Sequence, residues 1–130
     1  MQVPPNCDLT LGMVCVDKGE PGRTVWRMVA DERFSNPTGL IQGGFLAAFA
    51  DSSMGASALT FARERKVFAV NAEMKVSFLK AVPVGATLTC TAYVISGGST
   101  AVFAEAEVVD GRERLVLKAS STYLLRPREP

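Results

Sequence analysis

At 130 residues the chain matches one domain of ordinary size, long enough to bury a real core and too short for a two-domain enzyme, so residues 1–130 read as one domain. Fourteen Lys and Arg against thirteen Asp and Glu give a net charge of +1, with no run of one sign, which argues against nucleic acid or an anionic membrane as a partner. There is no histidine. That removes Ser-His-Asp and Cys-His nucleophile systems, histidine-based zinc sites and histidine proton shuttles, and it leaves acid-base chemistry to carboxylates.

Charged residues make up 21% of the chain, below the usual share of about 25%. With so little charge to cover a small domain, part of its apolar surface is expected to meet another copy of the chain. Cys7, Cys15 and Cys90 lie far apart without a Cys-x-x-Cys pair. This fits a reduced cytosolic chain better than a disulfide scaffold or a metal site, and Cys15 and Cys90 read as strand core. Met1 to Pro5 lacks the basic start and apolar run of a signal peptide, and no apolar stretch is long enough to cross a bilayer. The expectation is a soluble cytoplasmic protein with no membrane partner, metal or cofactor.

In chain order, Leu9 to Asp17 and Arg23 to Ala30 read as two strands around the turn-rich Lys18-Gly19-Glu20-Pro21-Gly22. Ser35 to Gly39 is a loop by composition, and Phe45 to about Arg65, rich in Ala, Leu, Met and Phe, predicts one long helix. Four more strands follow: Val67 to Lys80, Ala86 to Ser96, Thr100 to Val109 and Arg114 to Leu125. They are punctuated by Pro83 to Gly85 and by the hairpin signals Gly97-Gly98 and Asp110-Gly111. The order β-β-α-β-β-β-β predicts an α+β fold, a mostly antiparallel sheet wrapped around a central helix, with Arg126 to Pro130 as a loose tail.

Steps of three and four along the helix give Gly44, Ala47, Ala48, Asp51, Gly55, Ala58 and Ala62, a stripe of small residues interrupted by one carboxylate. The stripe predicts a close neighbour on that face. Asp is a poor helix former and its charge is costly to bury. Asp51 is therefore a candidate base or nucleophile, the ordinary alternative being contact with solvent or with Ser52 or Ser53. Gly43 and Gly44 stand at the helix start, where backbone N–H groups lack partners and suit a developing oxyanion, the alternative being close packing of helix on sheet. Eight residues at 1.5 Å each separate Gly43 from Asp51 by roughly 12 Å along the axis. If both act on one carbonyl, the carboxylate comes from a second subunit.

The segments Asn36-Pro37-Thr38-Gly39-Leu40-Ile41-Gln42-Gly43-Gly44, then Asp51, then Asn71 to Lys80 resemble the hotdog-fold acyl-CoA thioesterases of the phenylacetate-degradation type, related to 4-hydroxybenzoyl-CoA thioesterases. The resemblance implies hydrolysis of an acyl-CoA, aryl or medium-chain, to free acid and CoA, in a pocket between subunits of a homodimer or homotetramer. It implies that the Gly43 N–H polarises the thioester carbonyl, that Asp51 of the partner chain activates water or attacks, and that Asn36 lies near the attacking group. Gly44 and Asn71 fall among substrate-binding positions. Gln42 departs from the histidine that much of the family carries there; it donates a hydrogen bond but carries no proton. Asn71 stands where relatives often have Ser or Thr. A module that binds acyl-CoA without turnover is the competing reading. Arg63, Arg65, Lys66, Lys80, Arg126 and Arg128 are available to CoA phosphates, though as ordinary solvated charges they are not placed in the site. Phe45, Phe49, Met54, Leu59 and Phe61 are candidates for an acyl pocket or for core.

Overall fold

The computed structural model describes residues 2–128. A short helix α1 (Asn6–Leu11) precedes strands β1 (Val14–Asp17) and β2 (Arg23–Val29). The long helix α2 (Gly43–Phe61) follows, then β3 (Val67–Phe78), β4 (Thr87–Gly97), β5 (Ala101–Val109) and β6 (Leu115–Pro127). The six strands form one sheet in the order β1-β2-β4-β5-β6-β3, with every neighbouring pair antiparallel. After α2 the chain runs out to the β3 edge and then crosses back, so β4 pairs with β2.

Period-two patterning explains the inner strands. Val102, Ala104, Ala106 and Val108 of β5 are buried and alternate with the half-exposed Glu105 and Glu107. Asp110 builds the β5–β6 turn by accepting from the N–H groups of Arg112 and Arg114 at 2.9 and 3.0 Å. The sheet curls around α2 because this helix is apolar on most of its circumference, and such a helix must be covered. Leu46, Phe49, Ala50, Met54 and Ala58 are buried against Met28, Leu88, Ala92 and Val102. Buried hydroxyls stitch the layers together: Thr24 Oγ1 lies 2.7 Å from Ser57 Oγ, and the Ser57 hydroxyl is 2.8 Å from the Ala92 carbonyl. The buried Thr24 and Ser57 hydroxyls thus both have partners, whereas Trp26 Nε1, on the same strand as Thr24, is buried without one among the described residues.

The structure corrects the sequence reading at several points. Leu9 to Leu11 are helical, because Pro5 precedes a turn that closes on Gly12, whose φ of 71° is left-handed and whose N–H reaches the Asp8 and Leu9 carbonyls. β1 therefore keeps four residues. As an outer strand it leaves all four exposed, Cys15 included, so Cys15 is no core residue and Cys90 alone of the pair is buried. Arg126 and Pro127 are not tail: they pair with Phe68 and Val67, and the Arg128 N–H meets the Lys66 carbonyl at 3.0 Å. Glu129 and Pro130 lie outside the described residues. The helix stops at Phe61 rather than Arg65. Its small stripe is mostly not a close-packed face within the chain: Gly44 is exposed, Ala47, Ala48, Asp51 and Gly55 are half-buried, and Ala58 and Ala62 are buried.

Candidate active site

Asp51 sits at mid-helix on the half-open side of α2, and the far end of the sheet comes to it. In β6 the inward phase carries Ala119, Ser121, Tyr123 and Leu125. In β3 it carries Ala69 and Asn71 and then shifts to Met74 and Val76, because the register slips between Asn71 and Glu73. A bulge of this kind re-aims side chains. The outcome is convergence on one oxygen: Asn71 Nδ2 donates to Asp51 Oδ1 at 2.9 Å and the Tyr123 hydroxyl donates to the same oxygen at 2.7 Å. The Tyr123 hydroxyl also lies 2.9 Å from the Asp51 main-chain carbonyl, and Asn71 Nδ2 reaches Ser121 Oγ at 3.0 Å. No Lys or Arg pairs with Asp51 among the described residues. Burial first, then the hydrogen bond and charge of Asp51, push the Tyr123 hydroxyl well above the ordinary tyrosine range, so it remains a donor.

These contacts replace the serine alternative for Asp51, since the Ser53 hydroxyl is spent on the Phe49 carbonyl at 2.7 Å. They also show what the sequence reading missed. Tyr123 and Ser121 belong to a strand 70 or so residues away in sequence, and their only sequence signal is a polar residue in the inward phase of an otherwise apolar strand.

The other half of the predicted site gathers at the start of α2. Gly43 is the first helical residue and Gln42 the N-cap; the Gln42 side chain is exposed and makes no capping bond. Neither the Gly43 nor the Gly44 N–H donates to a described group, so both remain available at the positive end of the helix. Asn36 does the work of a turn residue: its Oδ1 accepts from the N–H groups of Thr38 and Leu40 at 3.0 and 3.3 Å. This leaves its Nδ2 without a partner among the described residues.

Two separate cavities hold these two halves. One, about 470 Å³, is lined by Asp51, Asn71 and Tyr123 together with Gly55, Leu59, Trp26 and residues of the amino-terminal segment such as Val3 and Pro5. The other, about 370 Å³, is lined by Asn36, Gly43, Leu46 and Phe78. They share no lining residue, so within one chain Asn36 and Gly43 are not brought to Asp51. Gly44 and Gln42 line neither. Of the apolar candidates, Phe49 and Met54 are core, Phe45 stacks on Phe34 at 4.5 Å between ring centroids, Phe61 packs against Gly97, and Leu59 alone reaches the first cavity. Arg65 spends its guanidinium on the Gly98 and Ser99 carbonyls, and Arg63 on those of Thr60 and Lys18.

The family model described as "Thioesterase superfamily" matches residues 38–117, more than half of the chain. The chain belongs to the thioesterase superfamily. It is a thioester hydrolase by membership, and its α+β architecture is the hotdog fold. Among curated relatives, Homo sapiens acyl-coenzyme A thioesterase 13 is 24% identical over 105 residues, covering 81% of this chain and 74% of that protein. A provisionally named esterase of Saccharolobus solfataricus is 32% identical over 110 residues, covering 84% and 76%. The solved structure of E. coli PaaI, from the phenylacetic acid degradation operon, superposes with a TM-score of 0.86 at 22% identity, covering 93% of this chain and 84% of that one. A Streptococcus mutans protein, smu.793, solved bound to acetyl CoA, gives 0.84 at 19% identity, covering 100% and 96%. At these identities the two structures establish the fold of this thioesterase. Among the described residues no helix is long and apolar enough to cross a membrane.

Proposed function

We propose that this thioesterase hydrolyses acyl-CoA in a cytoplasmic setting, at a site completed by two copies of the chain. The observation that carries the reading is the Asp51 carboxylate: Oδ1 is held by two donors while Oδ2 takes no hydrogen bond from the described residues and stays open to the cavity. Acyl-CoA as the substrate class is supported by the activity named for the curated relative and by acetyl CoA in the smu.793 structure.

Asp51 removes a proton from water, or attacks the thioester carbonyl itself, and the oxyanion forms against the Gly43 N–H at the helix start. Gln42 adds a side-chain donor beside it, and Asn36 Nδ2 a second polar group on that side. The departing CoA thiolate is a good leaving group, since thiols ionise near pH 8.5, so a chain without histidine can release it. Two copies are needed because Gly43 and Asp51 belong to different cavities and lie roughly 12 Å apart along one helix. The sheet supports such pairing: β3 is a 12-residue edge strand with exposed Phe68, Val70 and Phe78. A dimer joined there, or a tetramer of such dimers, sets one chain's helix start against the other's carboxylate.

The test is release of CoA from short, medium, long and aryl acyl-CoAs by the wild-type chain and by Asp51→Asn. Turnover that collapses in the variant supports the proposal. Tight acyl-CoA binding with no turnover by either protein replaces hydrolysis with binding.

A further inference from the structure

Tyr123 makes two contacts with one residue. Its hydroxyl reaches Oδ1 of Asp51 at 2.7 Å and the main-chain oxygen of the same residue at 2.9 Å, with Asn71 Nδ2 on Oδ1 from the other side. A carboxylate otherwise turns freely about its last bond and presents either oxygen. Two donors on one oxygen end that freedom and leave Oδ2 as the oxygen with no partner among the described residues. The ring packs beside α2 at Gly55, one turn beyond Asp51, where a Cβ would stand 3.6 Å from Tyr123 Cε1, an ordinary van der Waals contact. The bulge after Asn71 supplies the second donor.

We infer that Tyr123 is a positioning residue for hydrolysis, holding Asp51 so that Oδ2 is the oxygen that meets water or thioester. This rests on the reading of Asp51 as the reacting carboxylate. Tyr123 acts through Asp51: it fixes which carboxylate oxygen meets water or thioester. The titratable groups around the same cavity are Cys7 and Asp8 from α1 and Lys18 from the turn after β1, with Cys90 of β4 behind Tyr123. None of these four makes a hydrogen bond to Asp51 among the described residues. Tyr123 is thus the titratable neighbour whose loss the carboxylate feels directly.

The experiment compares pH profiles of kcat/KM for the wild type, Tyr123→Phe and a protein with difluorotyrosine at 123, using the best substrate of the acyl-CoA panel. Tyr123→Phe is expected to lower kcat about ten- to a hundredfold with little change in KM, and to move the acid limb to higher pH. Difluorotyrosine keeps the shape and strengthens the donor, so it moves the limb to lower pH and holds even if the phenylalanine variant folds poorly. Adding Tyr123→Phe to Asp51→Asn is expected to cost nothing more, because the hydroxyl acts through the carboxylate. A folded Tyr123→Phe with wild-type kcat and acid limb, an unmoved limb with difluorotyrosine, or an additive loss in the double variant overturns the inference while leaving Asp51 in its role. Wild-type turnover by Asp51→Asn overturns both.

Discussion

The ring of Phe78 lies against Gly43: a Cβ added there would stand 3.0 and 3.1 Å from two of its atoms. The glycine that opens α2 is thus also the floor for the last residue of β3. Because Phe78 is exposed and the contact is with the far end of its side chain, the ring can yield by a few tenths of an ångström. Proline is tolerated at the first helical position and lacks only the N–H. Gly43→Pro is therefore expected to fold and to lower kcat about a hundredfold or more, the cost of a lost oxyanion donor. Unchanged kcat in a folded variant would remove that N–H from the reaction.

Mixing tests the two-copy site directly. Asp51→Asn and Gly43→Pro should each be nearly inactive, yet unfolding and refolding them together should restore about a quarter of the wild-type rate, since half of the dimers are mixed and each of those keeps one complete site. No recovery in mixed dimers would show that each site is built within one chain.

Charges on the β3 edge should undo the assembly. Phe68→Lys combined with Val70→Lys is expected to shift the protein toward monomer in light scattering and to abolish turnover, although Asp51 and Gly43 are untouched. An active monomer would count against the shared site.

The cysteines divide by burial. Cys7 and Cys15 are exposed and Cys90 is buried, and burial pushes the Cys90 thiol up to about 12. A thiol reagent should consume Cys7 and Cys15 in the native protein and Cys90 only after unfolding. The raised value also has a sign: the fold favours the protonated thiol, so its contribution is complete below about pH 9 and is lost as pH rises toward 12. The drop in urea midpoint between pH 8 and pH 10.5 should be smaller in Cys90→Ala. Equal drops would assign the alkaline loss elsewhere, with Tyr123 the next group to examine.

Gln42 tests the departure from histidine. Its side chain is exposed and uncapped, so Gln42→Ala should leave Tm essentially unchanged while lowering kcat about tenfold. A large fall in Tm would give Gln42 a structural role instead.

Much of this was written locally in the chain. A long helix beginning near Phe45 follows from its Ala-, Leu- and Met-rich composition, and the hairpins at Gly97-Gly98 and Asp110-Gly111 and the alternation of β5 follow from turn chemistry and period-two patterning, all of which act over a few residues. Asp51 stood out because a charge in an Ala- and Gly-rich helix has to be accounted for, and the absence of histidine confined acid-base chemistry to such groups. The local signals misled where neighbours decide the outcome. Leu9 to Leu11 looked like strand until Pro5 and Gly12 closed a helical turn around them, and Cys15 looked like core because nothing local says that β1 is outermost. What surrounds Asp51 was decided by tertiary structure alone. Asn71 and Tyr123 meet it because β3 pairs with β6 rather than with β4 and because a bulge sets the phase of β3. Pairing register is fixed by burial of whole strands across long sequence separations, and no window of residues contains it.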